Sequence, residues 1–285
     1  MSAKSSGQDE VGPGLTVADV MVRNPLTMEK REFVSHAQRM MEKRGVSRVL
    51  VTDRGKLVGI VTERDLIERL SSRRTGKIVP LKLRLAGCMD MRLAGPDRLI
   101  VVGPNTKIGE AVRLMVENGV SGLPVVEDGE VVGILTKTDL VRLCLRVRDA
   151  RVEDVMTKNP MVVSRATSVL NARERLFKES ITILPVVEDG KIVGLVAESD
   201  IARYLESFRR RAPYRHLSTM IQRLTVEDVM KRDVPTVDVD TPVSEVARIM
   251  LERHMKGVPV TDKDGRLVGI VTKTDLTRLV LWRSA

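Results

Sequence analysis

One short stretch, repeated four times, constrains this chain more than any other feature. It joins a β-branched apolar run, broken by a single glycine, to a helix start whose aspartate follows the glycine at a fixed distance. The copies occupy residues 57–66, 131–140, 192–201 and 267–276. Such self-similarity indicates a repeat architecture. Because the spacing between copies is long, short, long, we expect the first unit to pair with the second and the third with the fourth.

Each unit is predicted to contain a helix, a strand, a helix, two strands and a last helix, from apolar periodicity and turn signals. In the first unit these elements are expected at 15–21, 26–28, 35–43, 48–51, 57–61 and 62–70. First strands are also expected at 161–163 and around Val237, and Thr241-Pro242 is expected to open a helix with Pro242 at the first helical position. The predicted fold class is α/β (α+β).

The chain divides into repeats and connections. We expect a disordered leader over 1–14, repeats over 15–72, 86–147, 151–207 and 224–283, and linkers over 73–85 and 208–223. Both linkers are rich in Lys and Arg. The run Arg209-Arg210-Arg211 is interpreted as solvated linker charge, with contact to phosphates or to an acidic partner as the alternative.

Composition excludes several classes of function. Aromatic residues make up 2% of the chain, which argues against stacking of single-stranded nucleic acid on aromatic side chains. Two cysteines and three histidines have no metal-ligand spacing, so neither a disulfide framework nor a metal site is expected. No apolar run reaches the length of a membrane span, and a cytoplasmic protein is predicted. The net charge of +10 favours anionic partners.

Three motifs together resemble the CBS domain, named after cystathionine β-synthase. They are Asp-Val-Met at the start of a unit, Gly-Val-Ser-Gly-Leu-Pro-Val-Val in its middle and Val-Gly-Ile-Val-Thr-x-x-Asp-Leu at its end, and the likeness covers residues 15–283. The resemblance implies tandem pairs that pack through their sheets. A chain with four copies is similar to the disc of the gamma subunit of AMP-activated kinase. Clefts between paired repeats then hold adenine nucleotides, or S-adenosylmethionine or its thioether derivatives.

The resemblance also implies a ribose site, because the Ser/Thr-x-x-Asp pair at the last helix is similar to the ribose-binding signature of the family. A carboxylate acceptor suits the vicinal hydroxyls of ribose. The matching residues are Thr62 with Asp65, Thr136 with Asp139, and Thr272 with Asp275, whereas Ala197 leaves Asp200 without a hydroxyl partner. The alternative is that each pair only caps its helix, since Thr-x-x-Asp is close to a capping box and the helix dipole favours an acid there.

Phosphate and adenine positions follow from the same resemblance. In nucleotide-binding relatives, basic residues two or three places before the Leu-Pro position neutralise phosphates, and here only Arg48 and Lys256 are basic at these places. Arg64, Lys137 and Lys273 add charge beside the motif, with solvent-exposed first-turn side chains as the alternative. The predicted adenine-lining residues are Leu26, Thr27, Ile60, Val102, Ile134, Val237 and Ile270. These apolar residues would also suit a core without any ligand.

Motifs of catalysis are absent. The sequence contains no Walker-type loop, dinucleotide fingerprint or nucleophile elbow. We therefore expect a non-enzymatic regulatory protein that binds AMP, ADP or ATP, needs no other cofactor and signals to a partner protein, with a homodimer as one option. The alternatives are a sensor of S-adenosylmethionine or methylthioadenosine and a nucleic-acid-associated basic protein, of which nucleic acid is the less favoured partner.

Overall fold

The computed structural model describes residues 14–70, 83–88, 99–211 and 217–284. The predicted leader, apart from Gly14, and most of the predicted linker 73–85 lie outside these residues. The described part is a mixed α/β structure of four repeats, which confirms the predicted fold class.

The elements of the four repeats are as follows. The first repeat contains α1 (Val17–Val20), β1 (Val22–Arg23), β2 (Thr27–Glu29), α2 (Val34–Arg44), β3 (Arg48–Asp53), β4 (Lys56–Thr62) and α3 (Glu63–Leu70). The second contains α4 (Ile108–Glu117), β5 (Gly122–Glu127), β6 (Glu130–Thr136) and α5 (Lys137–Leu143), with 3-10 turns at Leu85–Gly87 and Cys144–Arg146. The third contains α6 (Val152–Val155), β7 (Thr157–Lys158), α7 (Val169–Lys178), β8 (Ile183–Glu188), β9 (Lys191–Ala197) and α8 (Glu198–Arg211). The fourth contains α9 (Leu217–Arg223), α10 (Val226–Val229), α11 (Val243–Glu252), β10 (Gly257–Thr261), β11 (Leu267–Thr272) and α12 (Lys273–Ser284).

Two local predictions need correction. The expected first strands at 161–163 and around Val237 are each a single bridge, because a threonine-stabilised turn begins at the next residue: Ser164 N–H donates to Thr167 Oγ1, and Asp238 N–H to Thr241 Oγ1. Since the Thr241 hydroxyl is held in that turn, Pro242 is itself the N-cap of α11 rather than its first residue. The segment predicted as linker 208–223 contains the end of α8 and all of α9.

Paired repeats exchange short strands. β1 of the first repeat runs antiparallel to β6 of the second, with Val22 opposite Ile134, and β7 of the third runs antiparallel to β11 of the fourth, with Thr157 opposite Ile270. A bridge from Lys231 to Leu195 makes the reciprocal contact in the second pair. The predicted pairing of repeats is confirmed by this exchange. It also brings the start of one repeat to the ribose-type motif of its partner.

The two pairs close into a ring in the order first, second, fourth, third. The first and third repeats meet through α3 and α8, and the second and fourth through α12 against α4 and α5. The second and fourth repeats share one continuous core, which includes Met115, Leu140, Met250 and Leu276, whereas the first and third have separate cores. The first turns of α3, α5, α8 and α12 consequently meet at the centre of the ring. Among the described residues, no helix has the length and apolarity to span a bilayer.

Candidate functional site

Each motif aspartate caps the last helix of its repeat with one carboxylate oxygen. In the order of the repeats, Oδ2 accepts the backbone N–H of the residue three positions earlier at 2.7, 2.9, 3.1 and 2.8 Å. In the three repeats with threonine, the hydroxyl donates to the same oxygen at 2.7, 2.6 and 2.6 Å. The capping role weighed against the ribose role is thus present in the structure.

The second oxygen, Oδ1, is turned to other partners. That of Asp139 accepts from Arg142, that of Asp275 accepts from the Thr157 hydroxyl at 3.2 Å, and that of Asp200 accepts from Arg203 at 3.0 Å. Arg142 and Arg203, like Arg278 beside Asp275, are largely exposed. Each of these pairs joins an exposed arginine to a largely buried carboxylate, so a ligand hydroxyl that replaces the arginine must itself donate a hydrogen bond to Oδ1. One carboxylate offers about four acceptor positions and can cap a helix and bind ribose at once.

The exchanged segments make the clefts unequal. In each exchanged segment, the residue after Met faces the Asp motif of the partner repeat. This residue is Val22 beside the Asp139 motif, Thr157 beside the Asp275 motif and Lys231 beside the Asp200 motif. Lys231 Nζ lies 3.5 Å from Asp200 Oδ1. With Arg203 on the same oxygen, two cations already neutralise Asp200. The Asp275 motif instead borders an open cleft of about 310 Å³, lined by Asp154, Val155, Met156, Thr157, Asp275, Arg278, Leu279 and Trp282.

Two lysines connect the second and fourth repeats at the centre of the ring. Lys137 Nζ donates to Thr274 Oγ1 at 3.0 Å, and Lys273 Nζ donates to Thr138 Oγ1 at 2.8 Å. Burial lowers the pKa of both lysines, that of Lys273 to about 8. Neighbouring cations lower both values further, and carboxylates oppose them; the charged groups facing Lys273 are Arg48, Lys256, Asp139 and Arg142.

Arg48 reaches the same region from the first repeat. Its Nη1 atom is buried and has no hydrogen-bond partner among the described residues. Burial lowers the pKa of Arg48 to about 10 despite the attraction of Asp139, Asp65 and Glu63. A Cβ atom on Gly122 would lie 2.0 Å from Nη1. Glycine in the second repeat is therefore what allows the guanidinium to enter.

The remaining two predicted phosphate ligands lie nearer to acids. Lys256 is half-buried and faces Glu63, Glu198 and Asp200, and desolvation lowers its pKa. Arg64 Nε lies 3.6 Å from Glu198 Oε1, and its guanidinium lies 4.9 Å from the Phe177 ring centroid. At the centre of the ring, the last helix thus begins with Glu63 or Glu198 in the first and third repeats and with Lys137 or Lys273 in the second and fourth.

The predicted adenine residues divide by exposure. Val102, Ile134, Val237 and Ile270 are buried, Leu26 and Ile60 are half-buried, and Thr27 is exposed. Ile60 borders a cavity of only about 10 Å³ beside Pro124 of the second repeat. Four features beside the Asp139, Asp200 and Asp275 motifs were not predicted from the sequence: the residues that follow Met in the exchanged segments, the arginines three positions after the motif aspartates, Gly122, and Trp282. The repeated spacing of those arginines was the signal available.

Comparison with known proteins identifies the family. The CBS domain family matches residues 17–72, 97–146, 152–207 and 226–281. This chain belongs to the CBS-domain family, as four repeats of the family cover most of it.

Three relatives illustrate the range of the match. Protein MJ1225 of Methanocaldococcus jannaschii is 25% identical over 234 residues, which are 78% of this chain and 82% of that protein. Its crystal structure, described as that of a proposed archaeal homologue of g-AMPK, has a TM-score of 0.78 at 22% identity and covers 93% of this chain and 99% of that chain. It shares the fold of this chain.

The other two are structures of single CBS pairs. The pair of protein MJ0100, solved with 5′-methylthioadenosine and S-adenosyl-L-methionine, is 35% identical with a TM-score of 0.39 and covers 46% of this chain and 94% of that chain. CBSX2 of Arabidopsis thaliana, solved with AMP, is 32% identical with a TM-score of 0.40 and covers 47% of this chain and 98% of that chain.

Proposed function

We propose that this chain is a non-enzymatic regulatory protein that binds AMP, ADP or ATP in the clefts between paired repeats and reports their occupancy to a partner protein. The observation that carries the proposal is that the ribose-type carboxylates lie beside a group of half-buried cations, Arg48, Lys137, Lys256 and Lys273, at the centre of the ring. The partner protein, a homodimer and a cytoplasmic location remain predictions.

Lys137 and Lys273 lie at positions where, without an anionic ligand, a positive charge contributes little to the stability of the protein. Lys137 and Lys273 are the first residues of α5 and α12, where the helix dipole favours negative charge. Their pKa values are lowered by burial, so the lysines are held charged at a cost. Phosphate oxygens accept charge-assisted hydrogen bonds from lysine and arginine. A phosphate group at the centre would therefore lower the free-energy cost of keeping these lysines charged.

The charge distribution ranks the clefts. Asp139 and Asp275 belong to the repeats that carry Lys137 and Lys273, whereas the first and third repeats place Glu63 and Glu198 at the same positions. Phosphates directed towards the centre from the Asp139 and Asp275 clefts would meet Lys137 and Lys273. We propose these two as the principal sites, Asp65 as a weaker one and Asp200 as the weakest.

The same centre would distinguish AMP, ADP and ATP. The nucleotides differ in phosphate charge, and a fixed number of cations binds them with different affinity. Only a difference in affinity between two conformations can shift an equilibrium and so regulate a partner. Because both clefts lead to the same centre of the ring, nucleotide binding in one cleft should also change the nucleotide affinity of the other.

Calorimetric titration of ligand-free protein with AMP, ADP, ATP, S-adenosylmethionine and methylthioadenosine tests the proposal. We expect saturable binding of the nucleotides that Asp139→Asn and Asp275→Asn each weaken and that Lys273→Gln weakens about tenfold, the loss of one charge-assisted hydrogen bond. Binding of the thioether ligands alone, unaffected by Lys273→Gln, would favour the alternative sensor. Nucleic-acid binding that falls steeply with salt and survives both Asp variants would favour the third class.

A further inference from the structure

Trp282 is the only tryptophan of the chain and lies near the end of α12. It is 78% exposed, more than any other large apolar residue among those described. A single exposed apolar side chain is ordinary on a protein surface. This one, however, lines the same open cleft as the motif aspartate Asp275.

The cleft follows one face of α12. Asp275, Arg278, Leu279 and Trp282 stand at positions i, i+3, i+4 and i+7, so their side chains project from the same side of the helix. Two turns, about 10 Å, separate Asp275 from Trp282 along the axis. That distance is comparable to the length of adenosine from its ribose hydroxyls to the far edge of the purine. The cleft volume of about 310 Å³ falls in the range of small-molecule sites.

The predicted adenine residues of this repeat offer no comparable space. Val237 and Ile270 are 8% and 4% exposed. Ile270 packs against Ile183, Leu195 and Ala197 of the third repeat. A purine placed there would have to displace these side chains from one another. The route along α12 requires no such opening.

We propose that the base of an adenosine ligand whose ribose is held by Asp275 stacks on the indole of Trp282. The inference rests on the proposed function and assigns the base-binding residue of one of its sites. Stacking of a base on an aromatic side chain is tolerant of base identity because every base has a π face. The site therefore recognises purine nucleosides as a class, with the ribose hydroxyls supplying most of the orientation.

The other repeats lack this device. Seven residues after the motif aspartate, the second and third repeats carry Arg146 and Ser207 in place of Trp282. The Asp139 cleft is thus a matched site without an aromatic wall. Since the chain has one tryptophan, its fluorescence reports on the Asp275 cleft alone.

The test titrates full-length protein with AMP while tryptophan fluorescence and calorimetric heat are recorded. We expect AMP to quench and shift the emission in the wild-type protein and in Asp139→Asn, and not in Asp275→Asn. In an Asp139→Asn background, Trp282→Ala weakens the remaining calorimetric affinity about tenfold, equivalent to about 1.4 kcal/mol. Trp282→Phe restores most of that loss because it keeps an aromatic face.

The outcomes separate the inference from the proposed function. Calorimetric binding with unchanged tryptophan emission and unchanged affinity of Trp282→Ala would overturn the inference and leave nucleotide binding in place. Absence of any binding would overturn both. Emission that changes with protein concentration and not with AMP would assign Trp282 to a contact between copies of the chain and would also overturn the inference.

Discussion

Arg48→Met should change stability and ligand binding in opposite directions. Nη1 is buried without a hydrogen-bond partner among the described residues, and burial lowers the pKa of Arg48 to about 10 despite the carboxylates facing it. The surroundings therefore disfavour the charged guanidinium in the ligand-free protein. A buried unsatisfied polar group costs about 1–3 kcal/mol, and replacing buried charge by an apolar side chain of similar length is often neutral or stabilising.

The magnitudes follow from these contacts. We expect the free energy of unfolding of ligand-free Arg48→Met to rise by about 1 kcal/mol. AMP affinity should fall by about 10- to 150-fold, since a hydrogen bond to a charged group contributes about 1.5–3 kcal/mol. In the third repeat the equivalent position holds Ile183, which faces Gly257 as Arg48 faces Gly122, so an apolar side chain fits this location.

Urea unfolding followed by circular dichroism and calorimetric titration with AMP measure the two effects. Arg39→Met, the same chemical change at an exposed position of α2, is the control and should alter neither quantity. If Arg48→Met unfolds more easily and still binds AMP as tightly as the wild-type protein, Arg48 is a structural residue and the argument for a phosphate at the ring centre fails.

Three further changes test the same geometry. Asp139→Asn should weaken AMP binding about tenfold because the amide is a poorer acceptor than a carboxylate, whereas Asp200→Asn should leave calorimetric affinity unchanged; equal losses would contradict the ranking of clefts. AMP affinity should fall as pH rises through about 8, where Lys273 loses its proton, and Lys273→Gln should flatten that profile. Without ligand, the free energy of unfolding should increase as pH rises from about 8 to the ordinary pKa of lysine, because in this range Lys273 is protonated in the unfolded chain and not in the folded one. A free energy of unfolding that decreases over this range would show that the surroundings stabilise the charged lysine. Gly122→Ala should reduce AMP affinity by displacing the buried guanidinium, while Gly103→Ala, whose nearest neighbour would lie 3.8 Å away, should not; equal affinities of these two variants would contradict the crowding argument.

Local signals were sufficient for most of the fold. Helix α2, expected at 35–43, is observed at Val34–Arg44 and ends at Gly45, which has a φ of 63°. The exchanged strands were not predicted. β1 contains two residues and is defined by pairing with β6, more than a hundred positions later, so no periodicity within it could reveal a strand. The opening at Pro242 failed because the preceding hydroxyl is used in a turn.

The candidate site was predicted only as far as local sequence specifies it. The spacing of Thr136 and Asp139 determines the helix cap, and the structure contains that cap. The contact of Lys137 with Thr274 joins residues 137 positions apart, and it depends on how two helices pack across the ring. Aligning the repeats places Arg48 and Gly122 at equivalent positions, but it does not show that these residues face each other. That contact depends on the axis that relates the two repeats, which the sequence does not give.

The second and fourth repeats differ from the first and third in two related features. The second and fourth repeats share a core and begin their last helices with lysine, while the first and third keep separate cores and begin theirs with glutamate. Burial raises the pKa of Glu198 and lowers that of Lys273, so both charges are costly to maintain. If the last helices served only to hold the repeats together, uncharged residues at these positions would avoid that cost. The alternation of glutamate and lysine at these four positions instead gives the centre a direction, with the two lysines next to the clefts of Asp139 and Asp275.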